Sequence, residues 1–229
     1  MDVVQLRESV DRYGLNATAY DLAYRAASKF ADLMILKAIV ITMATLDRKY
    51  LEDGNGKGGS EASSSRVWGF LDRETLVRAA SAEAAEDMDV AFIDAALSRG
   101  DRCYGLVEEG KVVSYGWYST RPTEVTDDLE LRFDPSYAYM YKGFTLPSHR
   151  GQRLHGIGMA RALRALTEEG LKGLVSYVRS NNFASLKSCY RMGYKDFGQI
   201  VIVRFRGRVR SYATRGCSRY DFRVEPKRV

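Results

Sequence analysis

The sequence predicts a mixed α/β domain preceded by a helical extension, and three observations carry that prediction. From residue 66 onward, short β-rich apolar runs alternate with stretches of helical periodicity. Between two of those runs, Glu109-Gly110-Lys111 marks a hairpin turn. Ahead of them, residues 20–46 place Ala23, Ala27, Phe30, Met34, Ala38 and Ile41 at helical spacing, after a plausible N-cap at Asn16 or Thr18.

The 229 residues are 45% hydrophobic and 28% charged, ordinary values for one soluble domain plus an appendage. Three cysteines at irregular spacing form neither a disulfide framework nor a zinc pattern, and with two histidines the expectation is no metal. The N-terminus lacks the basic region, apolar stretch and cleavage site of a signal peptide, which makes the cytoplasm the default location.

Taken in order, residues 1–51 read as a helical extension. The nearly apolar run 33–46 spans only about 21 Å as a helix, short of a bilayer core of about 30 Å. It is therefore read as core or homodimer packing, with no membrane span. Residues 52–65, rich in Gly and Ser, read as a flexible linker. Its glycines lack the Gly-Lys-Ser/Thr sequence of a phosphate loop.

Residues 66–229 form the main domain. A strand at 67–71 leads to helical stretches between 74 and 97, then to hairpin strands at 104–108 and 112–119. An irregular acidic segment, 124–134, precedes a strand at 139–146 on which Tyr137, Tyr139 and Tyr141 alternate onto one face. A helix ending near Gly170, a strand at 173–179 and a helix from Asn182 to Gly193 follow. Residues 199–229 hold nine Lys and Arg against Asp221 and Glu225, so the net charge of +6 belongs to the tail. On one strand, Arg204, Arg206, Arg208 and Arg210 would share a face, with Val203, Phe205 and Val209 on the other. That stripe reads either as an anion-binding surface or as a solvated edge that discourages strand pairing.

The junction between the 139–146 strand and its helix carries the most chemistry. First-turn amides of a helix have no intrahelical acceptor and form a ready anion site. The run Pro147-Ser148-His149-Arg150-Gly151-Gln152-Arg153-Leu154-His155, followed by Asn182 through Tyr194, resembles the acyl-donor half of the GNAT acyltransferase superfamily. The resemblance covers roughly residues 66–224 and implies the GNAT fold, a mixed, mostly antiparallel central sheet flanked by helices. It implies acetyl-CoA or another acyl-CoA as cosubstrate, its pantetheine arm on the strand end at Phe144, Thr145 and Leu146. Its pyrophosphate would lie on Arg150, Gly151, Gln152, Arg153, Leu154, His155 and Gly156.

Two registers match the family's Arg/Gln-x-x-Gly-x-Gly/Ala signature. One starts at Arg150-Gly151 and leaves Arg153 and His155 at glycine positions. The other, Arg153-Leu154-His155-Gly156-Ile157-Gly158, is intact but gives a shorter helix. The first is preferred because Pro147, Arg150-Gly151 and Gly170 then fall in place together. Its crowded loop and the arginine stripe both suit an acidic acyl-carrier-protein thioester as an alternative donor, in a branch resembling the N-acyl amino acid synthases.

The family's Asn-x-x-Ala/Ser-x-x-x-Tyr-x-x-x-Gly-Phe pattern is resembled by residues 182–194. It implies that Asn182 and Tyr190 face the thioester, with Tyr190 protonating the leaving thiolate and a backbone N–H near Leu146 holding the oxyanion. Cys189 reads as a buried small hydrophobe. Glu130 is the candidate base for the acceptor. The function expected is N-acyl transfer from a thioester to a small-molecule amine. Rival readings are a carrier-protein-dependent long-chain N- or O-acyltransferase and a catalytically silent GNAT-like binding module, with nucleic-acid binding through the tail ranked third.

Overall fold

The computed structural model describes residues 3–30, 32–52, 66–81 and 88–227. An eight-stranded sheet runs in the order β10-β9-β1-β8-β7-β4-β3-β2, and a three-stranded sheet in the order β11-β6-β5. Every pairing in the large sheet is antiparallel except that of β7 (Ala138–Thr145) with β8 (Leu174–Arg179). The mixed, mostly antiparallel α/β class is therefore the observed one. Among the described residues no helix is long and apolar enough to cross a membrane.

The elements expected after residue 66 appear in order. β2 (Arg66–Phe70) is followed by α4 (Arg73–Ser81) and α5 (Val90–Arg99), then by β3 (Arg102–Glu108) and β4 (Lys111–Ser119). Asp89 caps α5 by accepting the Phe92 N–H at 2.7 Å. In the β3–β4 turn, Glu109 and Gly110 both take positive φ, 52° and 79°, the backbone a tight hairpin requires. The acidic segment expected to be irregular instead forms β5 (Thr123–Thr126) and β6 (Leu129–Arg132). Leu129 and Leu131 alternate inward from β6, and β11 (Arg223–Pro226) completes that small sheet.

The N-terminal reading needs the largest correction. Two helices are present, α1 (Val3–Tyr13) and α2 (Leu15–Ala27), but the single helix expected over 20–46 is not. Its second half is β1 (Asp32–Ile41), seated between β8 and β9 (Lys195–Phe205). Apart from Asp32 and Lys37, the run is apolar because both of its faces are covered. Leu36, Ala38 and Val40 enter one core, while Ile39 and Ile41 enter the other. Residues 32–41 thus share a sheet with the main domain, so a division at 52–65 does not follow the sheet. The linker reading itself, apart from Glu52 in α3 (Lys49–Glu52), lies outside the described residues.

One face of the large sheet packs on α6 (Leu154–Glu168), with α3 and α7 (Phe183–Met192) beside it. The three-stranded sheet and the α4–α5 pair cover the other face. The tail is a hairpin rather than one strand. β9 turns at Arg206 and Gly207, both at positive φ, into β10 (Arg208–Ala213). Arg204 stands opposite Val209, and Phe205 opposite Arg208, so the turn puts Arg204 on the face away from Arg208 and Arg210. Arg204 is also neutralised, by two bonds to Asp128 at 2.8 and 2.9 Å. The single arginine stripe does not exist.

Candidate acyl-donor site

β7 and β8 pair only at Ala138–Leu174 and Tyr139–Val175. β8 then stays on β1 along its whole length, while β7 stays on β4. The two parallel strands part because β7 carries a bulge. Met140 faces Tyr118 and Lys142 faces Trp117, leaving Tyr141 as the extra residue. Its hydroxyl donates to Asp101 Oδ2 at 2.8 Å, and that carboxylate is ion-paired to Arg99 at 2.5 Å. The bulge is thereby pinned, and the opening wedge exposes the β7 edge beyond Tyr139. Ser176 Oγ reaches across its base to donate to the Met140 carbonyl at 2.7 Å.

At the end of β7 the chain passes through a short 3-10 turn, Pro147–His149, and enters α6. Arg153 precedes the helix at φ 59° without a side-chain cap, and Ile157 N–H is the first to bond an α6 carbonyl-side acceptor, Arg153 O. Leu154, His155 and Gly156 therefore present first-turn amides. They line a cavity of about 430 Å³ together with Thr145, Arg150 and Arg153. Tyr50 of α3 and Ser188 and Arg191 of α7 close it. Three guanidinium groups and a helix N-terminus make it strongly attractive to an anion.

α6 begins directly after Arg153, a start that lies inside both candidate registers, Arg150 to His155 and Arg153-x-x-Gly156-x-Gly158. Close packing requires these glycines. A Cβ on Gly156 would lie 2.6 Å from the Tyr50 ring, and one on Gly158 would lie 2.7 Å from Trp68. His155 lies against β7, where a Cβ on Gly143 would fall 2.3 Å from its ring. Burial holds the His155 imidazole below its ordinary pKa, so it is neutral near pH 7 and adds no charge to the cavity.

Other expected residues are placed differently. Phe144 turns its ring to Tyr115, 5.8 Å between centroids, on the α4–α5 face. The Leu146 N–H is used by Val113 O at 2.9 Å, so it is not free for an oxyanion. Gly151 lines the cavity, whereas the Gln152 amide oxygen faces Arg66 at 3.5 Å. His149 binds Glu108 at 3.1 Å. Asn182 caps α7 by accepting the Ser185 N–H at 3.1 Å. Glu130, on β6, is ion-paired with Arg132 at 2.6 Å and lines neither this cavity nor the larger one beside α7.

Tyr190 also points elsewhere. Its hydroxyl donates to Asp196 Oδ1 at 2.7 Å, and Asp196 Oδ2 accepts from Lys37 at 2.9 Å. It lines the larger cavity and not the donor-loop cavity. Counted from Asn182 through Ser185 to Gly193, the tyrosine of the quoted pattern falls on Cys189. Leu186, Cys189 and Met192 form the stripe that packs inward, and burial pushes the Cys189 thiol up to about 11. Sequence reasoning missed Tyr50, Ser188 and Arg191. The i, i+3 spacing of Ser188 and Arg191 would have placed those two on one helix face, but nothing local points to Tyr50.

The sequence model of the acetyltransferase (GNAT) family matches residues 70–194, more than half of the chain. The chain belongs to that family of acyltransferases. No curated protein sequence matches it. Among solved structures, an acetyltransferase of the GNAT family from Colwellia psychrerythraea superposes with a TM-score of 0.51 at 18% identity, over 81% of this chain and 62% of that one. A GCN5-related N-acetyltransferase-like protein from Streptococcus suis gives a TM-score of 0.49 at 16% identity, over 82% and 67%. The aminoglycoside N-acetyltransferase AAC(6')-Iy in complex with CoA gives 0.43 at 15%, over 60% and 92%. The chain spans less than two-thirds of several such structures, down to 57% of a Drosophila protein.

Proposed function

We propose that the protein transfers an acyl group from an acyl-CoA thioester to an amine. The observation that carries this reading is the basic, amide-lined cavity at the start of α6, which Thr145 at the end of β7 also lines. Phosphate oxygens are the anions such a cavity suits, because guanidinium forks and first-turn amides both donate to them. A pantetheine arm running into the wedge meets unpaired backbone groups on the β7 edge, as an added strand would.

The acceptor amine, deprotonated, attacks the thioester carbonyl. A C–N bond forms, the attacking nitrogen releases a proton to solvent, the C–S bond breaks, and the oxyanion is held by β7 backbone N–H groups beyond the Tyr141 bulge. The leaving thiolate, of parent thiol pKa about 8.5, is protonated from solvent without a dedicated acid. Separation of Arg204 from Arg208 and Arg210 removes the surface argument for a carrier-protein donor.

Titration calorimetry with CoA tests the reading, alongside thioester turnover with acetyl-CoA, a long-chain acyl-CoA and mixed amines. Arg150→Glu with Arg153→Glu should weaken CoA by about 10-fold or more, since each lost charge-assisted bond is worth about 1.5–3 kcal/mol. Failure of the unaltered protein to bind CoA, or to consume any thioester, overturns the proposal.

A further inference from the structure

α1 and α2 lie over α7 and the strands β1 and β9, enclosing a second cavity of about 870 Å³. That volume is in the range of pockets for small organic ligands, about 300–1,000 Å³. Its walls are aromatic and apolar. Tyr13 and Tyr20 pack against the Phe183 ring, with centroids 5.5 and 6.5 Å away, and Leu186 and Tyr190 continue the surface.

Its charges have one sign. Arg12, Lys187 and Arg191 reach the cavity and form no ion pair among the described residues. No carboxylate is among its described lining residues. The remaining cation, Lys37, is already held by Asp196, which also takes the Tyr190 hydroxyl. Convergent cations above an apolar floor are costly to cover with a neutral group, which would desolvate them unpaired, and a cationic ligand is repelled.

We propose that this cavity binds an organic anion with a flat apolar body and a single carboxylate, sulfonate or phosphate head. The body lies against Tyr13, Tyr20 and Phe183, and the head takes the Arg12 and Lys187 donors. The site is separate from the donor cavity. The two share only Arg191, and Tyr190 and Ser188 face them from different sides of α7. The proposal does not depend on acyl transfer.

Titration calorimetry on the full chain uses 2-naphthoate as probe and 2-naphthylmethylammonium as its charge-reversed control, each with and without saturating CoA. The expected result is one naphthoate site whose affinity is unchanged by CoA, with the ammonium at least about 10-fold weaker. Both Arg12 and Lys187 are exposed, so Arg12→Glu with Lys187→Glu should fold normally. That double variant should lose naphthoate affinity by about 10-fold or more and bind CoA as before. Absence of naphthoate binding, equal binding of the ammonium, displacement of naphthoate by CoA, or an unaffected double variant each overturns the proposal.

Discussion

The Tyr190 hydroxyl donates to Asp196 at 2.7 Å, and this bond fixes Tyr190 on the side of α7 away from the donor-loop cavity. The same carboxylate binds Lys37 of β1, so one acidic residue ties helix, edge hairpin and central strand together. Tyr190→Phe should therefore leave kcat within about threefold of the parent, far from the 10²–10⁴-fold typical of a lost general acid. Losing one hydrogen bond to a carboxylate, exposed here, should cost no more than about 1.5–3 kcal/mol in denaturant unfolding. A kcat loss beyond about 100-fold, with folding intact, would return Tyr190 to the reaction.

Gly156 and Tyr50 make a second linked pair. Alanine at position 156 would improve helix propensity by about 1 kcal/mol in isolation. Its Cβ would stand 2.6 Å from a ring that is only 6% exposed, so the ring must move. Gly156→Ala should destabilise by about 1–3 kcal/mol net. Added to Tyr50→Leu, the same change should cost less, and a double-mutant cycle by urea unfolding reads the coupling. Purely additive effects would place the ring elsewhere.

Deletion of residues 1–65 should abolish folding, because it removes β1 and leaves the facing edges of β8 and β9 unpaired in the middle of the sheet. Leu36, Ala38 and Ile39 are completely buried and would be lost from both cores. Deletion of residues 1–30 removes α1 and α2 but spares β1, and should leave a cooperative unfolding transition. Circular dichroism melts of the two truncated chains decide the matter, a folded 66–229 fragment being the contrary result.

His155 links stability to pH. Burial lowers its pKa in the folded chain, so below the unfolded value of about 6.5 the unfolded chain holds a proton that the folded chain rejects. Its contribution is full above about pH 6.5 and is lost as pH falls through that value toward the folded pKa. Chemical unfolding between about pH 5 and pH 7 should show stability rising with pH, with a smaller slope in His155→Gln. An identical slope in the variant would assign the dependence to other groups.

The local sequence was enough for the hairpin at Glu109-Gly110 and for the strand and helix on either side of residues 147–153. Each rests on backbone preferences or hydrogen bonds among residues a few positions apart. Facing and partnership were decided elsewhere. Residues 33–41 are apolar at every position but Lys37, which erases the difference between periods of 3.6 and 2. Only the neighbours β8 and β9 make that run a strand. The arginines of 204–210 alternate in sequence, but the turn at Arg206 and Gly207 folds them onto opposite faces. The inward stripe of Leu186, Cys189 and Met192 was present in the sequence and would have turned Tyr190 outward. By contrast, the approach of Tyr50 to Gly156 joins residues more than a hundred positions apart, and a contact of that span is set by the packing of α3 on α6, which no local preference encodes.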